Sequence, residues 1–275
     1  MTRAAPYGSY AWRNWKQNHH WTTSGAPADP LGAGNTALIS NLGVTPFLFR
    51  DVRKNLSLSG SSVTSLADIK GDGTYGAALV QATSTKQPTW DGTFIRFSGA
   101  ASPNNQFLLS TSAVTGFDLS LQMTYVFVGT LAGTTGRGAF SAGNTSFTAP
   151  WILGLTGNGT VAPAFETSNG STGRANSAVL TSATAVVLVF CTVNVAGTAI
   201  CTIEIPGRAK VTGTGTPTAL ASGNVFDAVG AETTGVANAG HAFRAHLAWR
   251  GGYTTAQRDT IKTWAATYHG WSTPQ

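Results

Sequence analysis

Charge is what this chain lacks most. Of its 275 residues only 10% are Asp, Glu, Lys or Arg, and the acids number just 11. A surface with so few charges is built from hydroxyls, amides and glycine backbone. Subunits of large assemblies, binders of neutral glycans and plain secreted β proteins share that character. The 17 Lys and Arg residues give a formal charge of +6, but no long basic run concentrates it. A nucleic-acid-binding stripe is therefore not indicated, and no nucleic-acid partner is expected. Modest attraction to acidic neighbours or polyanionic glycans fits the balance as well. Long apolar runs are missing too. The longest, Ala185 to Phe190 continued by Cys191, is far short of a membrane span. The N-terminal residues carry no apolar stretch of the signal-peptide kind, so the expectation is a product made and assembled in the cytoplasm. Cysteine is nearly absent. Cys191 and Cys201 form no metal or redox motif and lie symmetrically about Ala196 on one expected hairpin. Two packed thiols are expected there in a reducing compartment, with a disulfide as the alternative. No G-x-S-x-G elbow, phosphate loop, dinucleotide fingerprint or H-E-x-x-H occurs.

Glycine is what the chain has instead, at 33 residues, with Ser and Thr crowding the intervals between short apolar segments. Many short strands joined by tight turns follow from that pattern, an all-β layer architecture. The stretch from Gly60 to Gly99 organises the rest. Val63, Leu66 and Ile69 alternate up to the turn Lys70-Gly71-Asp72-Gly73, and a polar connection then runs to Pro88-Thr89-Trp90 and Asp91-Gly92. Ile95 and Phe97 alternate with Phe94, Arg96 and Ser98, the period of a strand with two unlike faces. Further on, Leu119, Leu121, Met123, Tyr125 and Phe127 share one face of a strand over 119–130, and Val126 and Val128 occupy the other, so its C-terminal half is apolar on both sides as in a central strand. Segments 185–193 and 198–205 flank Asn194-Val195-Ala196-Gly197 as a β-hairpin. In His241 to Arg250, Phe243, Ala245, Leu247 and Trp249 are expected inward and the set containing Arg244 and His246 outward. His241 and His246, five apart, then face opposite ways. The chain closes on a helix with Thr254 as N-cap, Gly270 as its stop, and Ile261, Trp264, Ala265 and Tyr268 on its packing face.

Asp68, Gly71, Gly73, Pro88, Trp90, Ile95, Phe97 and Gly99 stand in an order that resembles the opening of concanavalin A-like, laminin G-like jelly-roll domains of bacteriophage structural proteins. Tyr253 to Arg258 and the ending Tyr268-His269-Gly270 resemble the close of the same domains. The likeness runs from about Pro46 to Trp271. It implies a jelly-roll β-sandwich over 46–275 with a C-terminal helix, preceded by an N-terminal arm over 1–45. The arm interleaves Tyr7, Tyr10, Trp12, Trp15 and Trp21 with Arg3, Arg13 and Lys16. Aromatics and Arg anchor interfaces, so Tyr10, Trp12, Arg13, Trp15 and Trp21 are the candidate docking residues, and a collar packed on the sandwich is the alternative.

The resemblance implies a virion structural protein of the capsid decoration or head-fibre type, located on the virion in several copies, with other virion proteins as partners. The alternative is a carbohydrate-binding module for host-surface glycans, with Trp90, Trp151 and Trp249 as candidate platforms beside polar groups. The third reading is a glycoside hydrolase, which needs paired carboxylates. Glu166, Glu204 and Glu232 have no acidic neighbour two or four residues away, so the expectation is no enzyme and no catalytic residue. No cofactor is expected. Calcium at Asp68 and Asp72 is the weak metal candidate, because lectin-like sandwiches often hold calcium in loops, although the segment lacks a dense set of oxygen ligands. His19-His20 carries no ligand geometry by itself.

Overall fold

A computed structural model describes residues 32, 34–98, 105–117, 121–131, 135–136, 140–143, 151–158, 163–168, 172–176, 186–193, 199–214, 225–231 and 241–273. The candidate arm residues Tyr10, Trp12, Arg13, Trp15 and Trp21 lie outside them. What is described is an antiparallel β-sandwich of the jelly-roll type with two α-helices.

Its axis is β18 (His241–Arg250), flanked along its whole length by β8 (Met123–Leu131). The other edge of β18 pairs with β6 (Ile95–Phe97) and then with β1 (Leu48–Asp51). Beyond β8 the same sheet continues through β14 (Val186–Val193), β15 (Ala199–Glu204) and β16 (Val211–Thr214). The second sheet runs β2 (Leu56–Ser59), β3 (Ser62–Leu66), β4 (Leu79–Val80), β7 (Leu108–Ser110), β17 (Phe226–Val229), β10 (Phe140–Gly143), β11 (Trp151–Asn158), β12 (Pro163–Ser168) and β13 (Thr172–Asn176). The short β9 (Thr135–Gly136) pairs with the end of β11. The two-residue β5 (Thr89–Trp90) pairs with both β3 and β6, which joins the two sheets at a corner.

Two apolar cores result. Tyr125, Phe127, Val187, Val189 and Phe243 of the first sheet meet Val63, Leu66, Leu79, Leu108, Phe140 and Val229 of the second. On the far face of the first sheet, Phe49, Val126, Val128, Leu188, Phe190, Leu247 and Trp249 are roofed by α1 (Asn35–Leu42) and α2 (Thr255–His269). The order of layers is therefore sheet, sheet, helices. The first sheet is covered on both faces, which explains the two-sided apolar pattern of β8 and β14. No described helix is long and apolar enough to cross a membrane.

Both ends of α2 form as its sequence dictates. Thr254 accepts from the main-chain N–H of Gln257 (3.2 Å) while the Gln257 side chain accepts from Thr254 N (2.8 Å), a complete capping box. Gly270, at φ 66°, ends the helix. The turn after β3 also follows from its residues: Asp68 accepts from the main-chain N–H groups of Gly71, Gly73 and Tyr75.

Three expectations are corrected. The first is the boundary at residue 46. Leu38 and Leu42 are each only 2% exposed and belong to the helical core, so the packed unit already includes α1. The amphipathic turn was hidden between Gly34 and Gly43, both at positive φ. The second concerns β18, which buries both faces. A β-bulge at Arg244 shifts its register between Phe243 and Ala245 and reverses the alternation. His241 stacks on Phe97 and His246 lies edge-on to Phe243, both toward the inter-sheet core. The two histidines thus share a face, and His246 is buried rather than outward. The third is the packing face of α2. Ile261, Trp264, Ala265 and His269 are its buried residues, whereas Tyr268 is 37% exposed.

The hairpin of β14 and β15 forms as expected, but Cys191 pairs with Ile203 and Cys201 with Val193. The two positions are two residues out of register on the ladder, and both side chains are buried thiols outside any disulfide. Burial, and then the neighbouring Cys201, push the Cys191 thiol well above its ordinary pKa, so it is inert at neutral pH.

Candidate functional site

Arg50 and Asp51 are neighbours on β1, and a strand sends consecutive side chains to opposite faces. Arg50 enters the space between the sheets. It donates to both carboxylate oxygens of Asp227, to the carbonyl of Ala77 and to Nε2 of His246 at 2.8 Å. Arg50, Asp227 and His246 are all at most 1% exposed. Burial, with the Arg50 charge beside it, holds His246 neutral, its pKa well below the usual histidine value. This cluster has no route to a ligand and serves the fold.

Asp51 points to the helical layer instead and ties three elements together. Arg53 donates to both its oxygens, and the side-chain amide of Asn35 on α1 donates to Asp51 Oδ2 (3.1 Å). Asn35 in turn accepts from the indole N–H of Trp264 on α2 at 3.0 Å. Burial raises the Asp51 carboxyl, but the Arg53 hydrogen bonds and the charges of His269 and Arg53 bring it below its ordinary value overall. His269, with Nε2 at 3.6 Å from Asp51, is pushed down to about 3 by burial, which outweighs the pull of Asp51. It is therefore neutral near pH 7.

This clasp sets α1 beside α2 and leaves an open groove of about 470 Å³ between them. Trp264 and Leu38 form its floor, and Asn41, Thr260, Thr263 and Thr267 supply amide and hydroxyl groups along its sides. Thr260 and Thr263 donate their hydroxyls back to main-chain carbonyls four residues earlier, so toward the groove they offer acceptors and methyl groups. Asp259 lies toward the N-terminal end of α2 and pairs with Lys262 at 3.3 Å. Tyr268 closes the other end. Its ring lies against Gly34, where a Cβ would stand 2.0 Å from the ring, and the Arg53 guanidinium sits 5.0 Å from its centroid. Gly34 is required there twice over, by that approach and by its φ of 81°. A half-exposed aromatic face beside hydroxyls and an amide is the equipment for stacking and hydrogen-bonding a sugar ring.

A second polar cluster lies near the start of α2. Glu204, at the end of β15, accepts from the Tyr253 hydroxyl and from Arg258 (2.9 Å). Arg258 also approaches Asp259 at 3.7 Å. Burial and the Glu204 hydrogen bond raise the Tyr253 phenol far above its ordinary value, so it stays a donor.

The three tryptophan candidates do not form one surface. Trp249 is fully buried in the helical core and donates its indole N–H to Gly252 O (3.1 Å), so it presents no face to a ligand, a correction to its expected role. Trp90 is partly buried against the other core. Trp151 begins β11, and its side chain lies outside the described residues. Glu166 falls on β12 under the same limit, and Glu232 is outside the described residues. Asp68 directs its carboxylate at three main-chain N–H groups and Asp72 at Thr74 N. Both read as turn formers, and among the described residues no group of three metal-ligating side chains occurs. Tyr268, Arg53 and Arg244 were not singled out by the sequence. Tyr268 follows Trp264 by four residues and reads as one more packing position. The buried stripe runs instead through Ile261, Ala265 and His269, four residues apart, which leaves Tyr268 at its edge.

No known family's sequence profile matches the chain, and no curated protein matches it by sequence. Solved structures do. A GH54 α-L-arabinofuranosidase soaked with a cyclic sulfate inhibitor aligns at a TM-score of 0.54 and 11% identity, covering 82% of this chain and 63% of that one. An arabinofuranosidase complexed with arabinofuranosyl-α-1,2-xylobiose aligns at 0.55, also 11%, with the same coverage. A CBM40 domain of Ruminococcus gnavus IT-sialidase bound to α2,3-sialyllactose gives 0.41 at 14%, over 55% of this chain and 92% of that one. The chain thus spans under two thirds of the arabinofuranosidases it matches. At these identities the likeness establishes the fold, a jelly-roll sandwich found in glycoside hydrolases. The expectation of no enzyme is corrected on that ground, because it took the missing acidic spacing on one strand to exclude a fold class in which arabinofuranosidases occur.

Proposed function

We propose that the protein binds carbohydrate in the groove between α1 and α2, with Tyr268 as the stacking face and Asn41 and the threonines as hydrogen-bonding partners. The observation that carries this reading is the exposed Tyr268 ring at the end of a 470 Å³ groove. The low charge of the chain and a fold shared with arabinofuranosidases support it. Calorimetric titration with xylo- and arabino-oligosaccharides tests it. Binding that disappears in Tyr268→Ala while the melting temperature stays within a few degrees is the expected result, and no heat at millimolar sugar removes the reading.

A second reading, glycoside hydrolysis, is favoured by Glu204. It is a largely buried carboxylate held by Tyr253 and Arg258, with Asp259 next to Arg258 as a second acid. Release of reducing sugar that Glu204→Gln abolishes would support it, and absence of release from arabinan and xylan would end it. Display on a virion, anchored by the N-terminal segment, rests on the resemblance of the opening and closing motifs alone. Mass spectrometry of purified particles is its test.

A further inference from the structure

We infer that the Tyr268 end of the groove is an anion-reading subsite, in which Arg244 and Arg53 hold the carboxylate or sulfate of an acidic sugar between the rings of Phe94 and Tyr268. This rests on the glycan-binding reading above and names the class of glycan.

The observation behind it is an unbalanced guanidinium. Arg53 shares its charge with the buried Asp51, and Arg96 pairs with Asp91. Arg244, the bulged residue of β18, directs its hydrogen bonds to main-chain carbonyls: Nε donates to Thr93 O at 3.3 Å, and Nη1 donates to His269 O. Among the described residues no carboxylate pairs with it. It is nonetheless half-buried, and its pKa is lowered by that burial and then by the charge of Arg53, which outweigh the opposing pull of Asp51 and Asp91. Three guanidinium groups, Arg53, Arg96 and Arg244, thus share two acids, and an arriving anion stabilises such a site.

The rings are in place as well. The Arg244 guanidinium lies 4.3 Å from the Phe94 centroid and Arg53 lies 5.0 Å from that of Tyr268. Each ring thus has a guanidinium beside it at cation–π distance. The bulge accounts for Arg244 being there. In a regular strand residue 244 would take an ordinary place in the ladder, whereas here it is the extra, unpaired residue.

The experiment compares two probes on the full chain: a trisaccharide of galacturonic acid and a trisaccharide of xylose. The uronate is expected to bind at least tenfold more tightly at 50 mM salt and to lose that advantage by 500 mM, while xylose binding stays flat. Arg244→Gln is expected to erase the uronate preference and leave xylose binding unchanged. Arg244→Lys, which keeps a cation near His269 O but not the planar fork, is expected to recover part of it. Equal affinity for the two sugars, or a preference untouched by Arg244→Gln, overturns the subsite and leaves the glycan reading intact. No binding of either sugar overturns both. Inorganic sulfate is the third arm. Binding of sulfate as tight as the uronate would show a bare anion site and overturn the assignment to a sugar.

Discussion

The two faces of the first sheet carry polar clusters of similar make-up and opposite consequence. On the inner face Arg50, Asp227 and His246 are sealed between two sheets. On the outer face Asn35, Asp51, Arg53, Trp264 and His269 hold helices that end at solvent. Both begin at one dipeptide of β1. The inner cluster has no access and can only specify how the sheets pack. The outer one does the same for α1 and α2, but its edge residues, Arg53 and Tyr268, emerge at a groove. Recognition is available only where a structural network reaches the surface.

The comparison is first broken by removing what the outer cluster fastens. Deletions ending at residue 31 and at residue 45 differ by α1 alone. That step removes Leu38 and Leu42, each contributing about 1.5–3 kcal/mol of burial, together with the Asn35 bonds. The longer deletion should be less stable than the shorter by on the order of 5 kcal/mol in urea unfolding. Equal stabilities would mean that α1 is an appendage.

On the inner face, Asp227→Ala strands the Arg50 charge in a dry interior. Breaking one side of a buried pair costs about 3–5 kcal/mol. Arg50→Met combined with Asp227→Leu should recover much of that loss, since neither charge is then left alone. Denaturant midpoints of the single and double variants decide it, and a double variant no better than the single would show that the pair itself specifies the packing.

Acid separates the clusters next. His269 has a folded pKa of about 3 against an ordinary value of 6.5. The unfolded chain therefore binds the proton first, and stability falls as pH drops from 6.5 toward 3. Between pH 7 and pH 5 the loss from His269 is about 2 kcal/mol. His246 on the inner face has the same sign. Asp51, whose pKa is lowered, adds its own loss only below its ordinary value of 3.8. His269→Gln should flatten the slope between pH 7 and 5 by its share, and an unchanged slope would place the titration elsewhere.

Much of this was legible in the chain. The turn at Asp68, the two-faced β8, the hairpin of β14 and β15, and the N-cap at Thr254 all follow from local spacing, and all formed. What escaped depends on events that spacing does not record. One bulge at Arg244 reversed the faces of β18 and put His246 inside. A helix of eight residues between two glycines is too short to show a period. The groove was illegible because its walls come from residues 34–41 and 256–268, brought together by an Asn35–Trp264 bond across the sequence. Trp249 drew notice as an aromatic, but tryptophan marks a core as readily as a platform.

The smallest expected change in stability carries the sharpest test of the comparison. Tyr268 is 37% exposed and makes one cation–π contact, with Arg53. Tyr268→Ala should therefore cost only about 0.5–1 kcal/mol, the size of such a contact at an exposed site. Trp264→Ala, four residues earlier on the same helix, removes a ring packed on Phe49 and His269 and one of the donors to Asn35. That change should cost about 3–5 kcal/mol. If the outer face is both clasp and binding surface, the two variants must come apart. Tyr268→Ala should keep its melting temperature within a few degrees and lose sugar binding, while Trp264→Ala should lose both together. A Tyr268→Ala protein that binds normally would make the ring a lid on Gly34 and nothing more. One that unfolds like Trp264→Ala would make Tyr268 part of the core after all, with no free edge for the outer cluster to offer.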